Sequence, residues 1–313
     1  MSDEHYRQLK NFARSHWERC TECDRLFARG DMMTIGYKSD GSMAVACQKC
    51  AKLITGERYE QPHYHRDYEF PDESTKVWRY IDFTKFVSLL DSSSLYFTRA
   101  DKFEDPFEGA RGFKYQEDEA YKTVTKFHEL QILAAHKDEN FTQSDLDREV
   151  ADSMTKAKEN YANLRKKIFI SCWHANEVES EAMWKLYTSS VSQGLAIQST
   201  VGKLIESIEE NTDVEVGKVK YVDYEQPLKA NMNPYWYKRS SFSHENEIRA
   251  IIVDDKCTDS GVMRRANLPL LFENIYVSPL AARWFFELVE QVLKKYGISC
   301  PIHYSQLNQE PIY

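Results

Sequence analysis

Lys167-Ile168-Phe169-Ile170-Ser171-Cys172-Trp173 is an apolar run entered from a charged side. Its β-branched and aromatic content predicts a strand of the buried type, lying inside a sheet. Outward from it the period of the pattern changes repeatedly. Upstream, residues 115–165 are charged and hold neither glycine nor proline, which predicts two or three helices inserted in the domain. Further upstream, Val77-Trp78-Arg79-Tyr80 and Leu95-Tyr96-Phe97-Thr98-Arg99 read as strands. Between them Phe83, Phe86, Val87 and Leu90 fall at helical spacing behind Asp82 or Thr84 as a cap. Downstream, Glu179–Tyr187 reads as a helix, and Gly194–Gln198, Gly217–Val222 and Glu247–Val253 read as strands. Ile275-Tyr276-Val277 then leads through Ser278-Pro279 into a helix at about 281–296. Strands separated by helices of unequal length, without regular βαβ spacing, predict an α+β domain with a mixed sheet. No internal repeat or low-complexity tract interrupts it.

Two cysteine pairs precede this domain, Cys20-Thr21-Glu22-Cys23 and Cys47-Gln48-Lys49-Cys50. Two residues between cysteines let both sulfurs of a tight turn point at one ion, and two such turns make a tetrahedral thiolate site suited to structural zinc. Met33–Tyr37 and Met43–Ala46, joined through Asp40-Gly41, read as a hairpin that the metal staples. The expected organisation is a zinc-ribbon-like module over residues 1–66, a linker over 67–76 and the α+β domain over 77–313. Thr55–Ser74 is polar and holds Pro62 and Pro71, which reads as connecting chain, with His63 and His65 as surface histidines.

Composition narrows the class. Hydrophobic residues make up 42% and charged residues 29% of 313, as in soluble globular proteins. The net charge of −8 excludes a chain that is basic throughout, though not a local basic groove on nucleic acid. No apolar run is long enough to cross a membrane. Met1-Ser2-Asp3-Glu4-His5 does not resemble a signal peptide, and Cys172, Cys257 and Cys300 are scattered, so the cytoplasm is expected.

Four clusters can carry chemistry. Arg79, flanked by Trp78 and Tyr80, can hold a phosphate while the rings border a base. Asp101, Glu104, Asp105 and Glu108 form an acidic turn that either binds a cation or is a solvated turn anchored by Phe103 and Phe107 and closed by Gly109, the second being favoured. Ser171 and His174 stand at the end of a buried strand, Ser171 as a hydrogen-bonding group and His174 as an acid or base, with Cys172 alternating away into the core. Glu245 and Glu247, one residue apart at the start of a strand, should share a face, with Lys238 and Arg239 available to phosphate.

Taken together, Trp78-Arg79-Tyr80, the segment from Leu95 through Arg99, Asp101 and Phe103 to Asp105-Pro106-Phe107-Glu108, Ser171-Cys172-Trp173-His174, Ala182-Met183-Trp184-Lys185-Leu186-Tyr187, Phe242-x-His244-Glu245-x-Glu247-x-Arg249 and Val277-Ser278-Pro279 resemble a large bacterial and phage family filed as a domain of unknown function. That resemblance spans residues 77 to about 307 and carries no activity. The order of Arg79, Tyr96, Ser171 and Glu245-x-Glu247 is in addition similar to ADP-ribosyltransferases of the arginine–serine–glutamate type. This second resemblance implies that NAD is the substrate, that Arg79 holds its phosphate or ribose, and that Ser171 supports the nicotinamide ribose. It further implies that Glu247 stabilises the oxocarbenium-like transition state and that Glu245 prepares the acceptor. Tyr80, Tyr96, Arg99 and Trp173 then border the dinucleotide. The chain departs from that pattern in having Cys172-Trp173 after the serine.

The expected function is therefore an NAD-dependent ADP-ribosyltransferase acting on nucleic acid or protein, with the character of a toxin or anti-phage effector and a restraining partner protein. Structural zinc stays away from the chemistry. Two other readings are a metal-dependent nuclease or phosphoesterase built on Asp101, Glu104, Asp105, His174 and Glu247, and a non-catalytic zinc-containing sensor. The transferase reading requires Arg79, Ser171 and Glu247 to meet around one ligand.

Overall fold

The computed structural model describes residues 8–9, 11–13, 15–28, 31–63, 68–113, 117–135, 141–188, 191–209, 213–228, 232–309 and 312. In the N-terminal part, β1 (Met32–Lys38) lies between β2 (Met43–Cys47) and β3 (Ile54–Pro62), antiparallel to both. The β1–β2 turn forms where expected, and Gly41 takes the positive φ of 81° that the Asp-Gly pair favours. β3 corrects the expectation of connecting chain, because the unpaired edge of β1 draws Ile54–Pro62 into the sheet despite its polarity. His63 is likewise not a surface residue: it is 3% exposed, packed near Trp17 and Phe27. His65 lies outside the described residues.

The larger part is built on a nine-stranded mixed sheet formed by β4 (Lys76–Asp82), β5 (Ser94–Arg99), β6 (Ile168–Ala175), β7 (Gly194–Thr200), β8 (Val214–Lys218), β11 (Glu247–Val253), β12 (Gly261–Arg265), β13 (Asn274–Val277) and β14 (Ile302–Tyr304). The buried run read first is β6, the strand on which the sheet forks. One edge of β6 pairs with β11 along seven residues. Its other edge is divided: Phe169 and Ile170 pair with β5, whereas His174 and Ala175 pair with β4. Among the described residues, Ser171, Cys172 and Trp173 have no strand partner on that edge, because β4 turns away to follow β7 and β5 turns away to follow β12.

One face of the sheet is covered by α1 (Phe83–Ser92), α5 (Val201–Ser207) and α6 (Arg283–Lys295). Phe86, Leu204, Phe285 and Val289 pack there with Phe169, Trp173, Leu195 and Ile197 in the main core. Burial of these apolar surfaces is the chief stabilising term, at roughly 25 cal/mol per Å². The opposite face holds two smaller clusters, one around Ile170, Tyr235, Trp236 and Ile251, the other around Trp78, Tyr80, Met183 and Trp184. α4 (Glu181–Tyr187) covers the latter, started by Ser180, whose hydroxyl accepts from the Met183 N–H. The expected insertion forms two helices, α2 (Glu117–Ala135) and α3 (Gln143–Leu164), the second opened by a Thr142–Asp145 capping box.

Gly217–Val222 does not form a single strand. Val219 separates β8 from β9 (Lys220–Val222), which runs parallel to β10 (Tyr237–Arg239). The break occurs because the Val219 N–H donates to the carbonyl of Glu247, where β11 begins. It brings Tyr221 and Lys238, register partners in this small sheet, beside the entry of β11.

Candidate active site

Strand alternation partitions the site residues before any side-chain detail is considered. β11 pairs Ala250 with Ser171, Arg249 with Cys172, Ile248 with Trp173 and Glu247 with His174. Directly opposed residues share a face, so Ser171 and Trp173 point toward the main core, and Cys172, His174, Glu247 and Arg249 point the other way. The register does not bring Arg79, Ser171 and Glu247 to one face, as a meeting around one ligand would have it: Glu247 points away from Ser171. Arg79 and Ser171 do meet: Nη1 of Arg79 donates to Ser171 Oγ at 2.7 Å, and Nη2 donates to the Tyr96 carbonyl at 3.2 Å. Arg79 thereby spans the fork, from β4 to the backbone of β5 and a side chain of β6. Its guanidinium lies 5.6 Å from the Trp173 ring centroid. Among the described residues no carboxylate pairs with it, and burial pulls it below the ordinary arginine value.

On the other face a cluster of charges is closed from water. Arg249, with an exposure of 0%, donates from Nε to Glu247 Oε1 at 2.7 Å and from Nη2 to Glu247 Oε2 at 3.2 Å. It also donates to Glu108 Oε1 at 2.5 Å, to Glu108 Oε2 at 3.0 Å and to the Tyr235 carbonyl at 2.6 Å. Lys238 reaches Glu247 Oε2 at 3.3 Å and pairs closely with Glu245. Burial pushes the Glu247 carboxyl up, but Arg249 and Lys238 more than offset it and hold it at about 2. Burial raises Glu108, Arg249 drawing it back only in part, and the Cys172 thiol is pushed well up. Cys172 lies on the same face as Glu247 and Arg249, opposite Ser171. It packs against the cluster of Ile170, Tyr235, Trp236 and Ile251, alternating away from Ser171 as expected.

Glu245 reaches the same cluster by a route the spacing did not reveal. It ends a 3-10 turn (Ser240–Glu245), and Asn246, at φ 37°, reverses the chain into β11. The Tyr221 hydroxyl, pushed up to about 12 by burial, accepts from the Glu247 N–H at 2.9 Å. His174 Nδ1 donates to the Glu245 carbonyl at 2.5 Å; burial lowers its pKa from the usual 6.5 and favours the neutral ring.

Several expected ligand contacts are otherwise engaged. Arg99 pairs with Asp101 at 2.6 Å and donates to the carbonyls of Thr258 and Asp259. Trp173 is 1% exposed and belongs to the main core, and the Tyr80 hydroxyl is taken by the Ser180 N–H. Tyr96 is 40% exposed, with its ring lodged over Gly261, where a Cβ would lie 2.1 Å from the ring. Lys238 and Arg239 do not form an open phosphate clamp. Arg239 pairs with Asp105 at 2.9 Å and lies against the rings of Phe107 and Phe242. The acidic turn is solvated only in part: Glu104 is exposed and Phe103 packs against the core as an anchor, whereas Glu108 is 2% exposed. Asp101, Asp105 and Glu108 each have an arginine partner, and with His174 turned to a carbonyl they do not converge as ligands for a catalytic cation.

Gly109 closes that turn at φ +74°, and a Cβ there would stand 2.4 Å from the Tyr235 ring. Gly109→Ala is therefore expected to destabilise the fold by about 1–3 kcal/mol, read as a lowered urea midpoint. An unchanged midpoint would mean that the turn relaxes freely.

The metal centre is separate. The sulfurs of Cys20, Cys23, Cys47 and Cys50 all lie within 4.8 Å of one another, with Cys23 and Cys47 at 3.8 Å. A regular tetrahedron with Zn–S bonds of about 2.3 Å has sulfur edges of about 3.8 Å, so the donor set fits zinc and is too open for a disulfide. The Cys47 N–H also donates to Cys20 Sγ at 3.3 Å, which orients that sulfur.

No family model matches the chain, and no curated protein matches it. Among solved structures, Thermus sp. 2.9 DarT in complex with NAD+ aligns at a TM-score of 0.36 and 8% identity, over 77% of this chain and 100% of that one. DarT from the same organism in complex with ADP-ribosylated ssDNA aligns at 0.34 and 9% identity, over 76% and 97%. Its complex with carba-NAD+ aligns at 0.33 and 8%, over 75% and 97%. Superpositions this loose assign no chemistry, and the site is read from its own residues.

Proposed function

We propose that the chain is an NAD-dependent ADP-ribosyltransferase that modifies a nucleic-acid or protein acceptor, with the character of a toxin or anti-phage effector. The observation that carries this reading is Arg79. Among the described residues it has neutral partners only across the fork, while Arg99, Arg239 and Arg249 each hold a carboxylate. A desolvated guanidinium without a counter-charge favours an anion, and its planar donors suit a diphosphate. Ser171 then supports the nicotinamide ribose.

Arg79 and Ser171 lie on one face of β6 and Glu247 on the other, so the reading requires the ligand to reach across the stretch of β6 that lacks a partner on one edge. The bond between ribose C1′ and the nicotinamide nitrogen breaks, its electron pair goes to the nitrogen, and positive charge develops on the sugar. Glu247 meets that charge as a carboxylate that remains ionised, so it serves electrostatically rather than as a base near neutral pH. The acceptor nucleophile bonds to C1′ and gives its proton to Glu245. The products are ADP-ribosylated acceptor, nicotinamide and a proton. The cysteine centre stands apart from this chemistry and would supply target recognition.

The test is nicotinamide release and transfer of adenine-labelled NAD to single-stranded DNA, RNA or protein, without added magnesium. Turnover is expected, and Arg79→Lys is expected to raise KM for NAD about tenfold by losing the planar clamp. No release with any of these acceptors, together with no calorimetric heat from NAD, would overturn the reading.

A further inference from the structure

The acidic turn after β5 and the glutamate entering β11 are joined by one buried arginine. Arg249 grips Glu247 along one edge of its guanidinium, at 2.7 and 3.2 Å, and Glu108 with its remaining donors, at 2.5 and 3.0 Å. Asp105, three residues before Glu108, holds Arg239 at 2.9 Å, next in sequence to Lys238, which contacts both Glu245 and Glu247. The turn thus reaches the Glu245–Glu247 pair twice, once through Arg249 and once through the strand bearing Lys238.

We infer that the Asp105-Pro106-Phe107-Glu108 turn is a positioning element of the active site, which sets the orientation of the Glu247 carboxylate through Glu108 and Arg249. This inference rests on the transferase reading and goes beyond it, because none of these turn residues touches a reacting atom. Three features support a positioning role. Arg249 has two carboxylates on its planar fork, so rotation of Glu247 requires Arg249 to release Glu108 or move with it. Glu108 is itself 2% exposed and cannot exchange Arg249 for water. The remaining groups around Glu247 make the orientation specific: Lys238 from β10, Tyr221 from β9, Cys172 and His174 from β6, Tyr187 from α4 and Glu245 from its own turn. A displaced carboxylate would still be ionised beside Lys238 but would no longer face the developing charge. Misplacement of about 1 Å is enough to cost about a hundredfold in rate.

The test removes the strut as a neutral pair, Glu108→Gln with Arg249→Gln, so that no single buried charge is left behind. The paired variant should keep a cooperative unfolding transition and a KM for NAD within about twofold, while kcat falls about a hundredfold. Its kcat should also gain an acid limb at higher pH than wild type, since Glu247 keeps only Lys238 as a close cation. Arg249→Lys, which keeps the charge and loses the fork, should lower kcat without moving that limb as far. The 13C shift of the Glu247 carboxyl, followed in unliganded wild type and paired variant, gives a readout independent of turnover. A folded paired variant with wild-type kcat, pH profile and carboxyl titration would overturn the inference while leaving the transferase reading in place. Absence of turnover in wild type would overturn the transferase reading instead, and the carboxyl titration would still decide whether the strut holds Glu247.

Discussion

Glu247→Gln is expected to lower nicotinamide release by about a thousandfold or more, the largest loss of any single change in the site. The amide keeps the size of the side chain and one acceptor oxygen, so what disappears is the fixed negative charge facing the sugar. Removing one partner of a buried ion pair also destabilises, by about 3–5 kcal/mol where the other charge is left alone. Here the cost should fall toward the lower end of that range, because Arg249 retains Glu108 and Lys238 retains Glu245. Rates must therefore be compared per folded molecule, with a urea curve for each protein. The pH dependence supplies a second measurement. Glu247 lies at about 2 in the folded chain against an ordinary 4.5, so its contribution to stability is complete above the ordinary value and is lost as pH falls through the folded one. Glu108, raised by burial, runs the other way and offsets part of this. The variant should lack the Glu247 portion of the acid slope. Activity within tenfold of wild type in folded Glu247→Gln would remove this residue from the chemistry.

How much of this was legible in the sequence depends on the range of the interaction. The period of Lys167–Trp173 is a local property, and β6 forms where it was read, extended through His174 and Ala175 by pairing with β4. The helices around residues 117–164 and 283–295 follow from equally local signals. Cysteine spacing is local as well, and the four sulfurs converge. The division of the site between two faces is not local. It follows from the β6–β11 register, which links positions 171 and 250, and a shift of one residue would have put Glu247 on the face of Ser171. The fork is similarly invisible, since β4, β5 and β6 each look like ordinary strands. One signal was present and unused. Arg249 sits inside the apolar run Ile248-Arg249-Ala250-Ile251-Ile252, where an arginine is buried only with a carboxylate partner. The acidic turn, 141 residues earlier, was the segment with carboxylates to offer. Taken together, the two predict that Glu108 is buried while Glu104 stays exposed. Arg79 and Arg99 show the converse: both stand beside aromatic residues in strands, and only their partners distinguish an arginine awaiting an anion from one already engaged.

Cys47→Ser, or removal of metal by a thiol reagent and chelator, is expected to unfold the three-stranded N-terminal sheet while the nine-stranded sheet keeps its own transition. The apolar cluster available to the smaller part is built from Leu9, Ala13, Phe27, Met33, Ile35 and Val45 with Cys20 and Cys47, which is little for a sheet of three strands. A core of that size supplies at most a few kcal/mol, whereas binding of structural zinc contributes about 10–16 kcal/mol to folding in comparable small modules. The two cysteines buried in the cluster, Cys20 and Cys47, are also the ones joined by the N–H to Sγ contact, so loss of the metal opens the apolar cluster from within. β1 and β2 carry the register that positions Cys47, and neither has another sheet to lean on. About one zinc per chain should be released in a colorimetric chelator assay, and limited proteolysis should then cut within residues 20–62. Cleavage of NAD by the larger part should persist, since Arg79, Ser171 and Glu247 all belong to the nine-stranded sheet. A metal-free chain whose N-terminal sheet resists protease as well as the zinc-loaded one would show that apolar packing alone folds it.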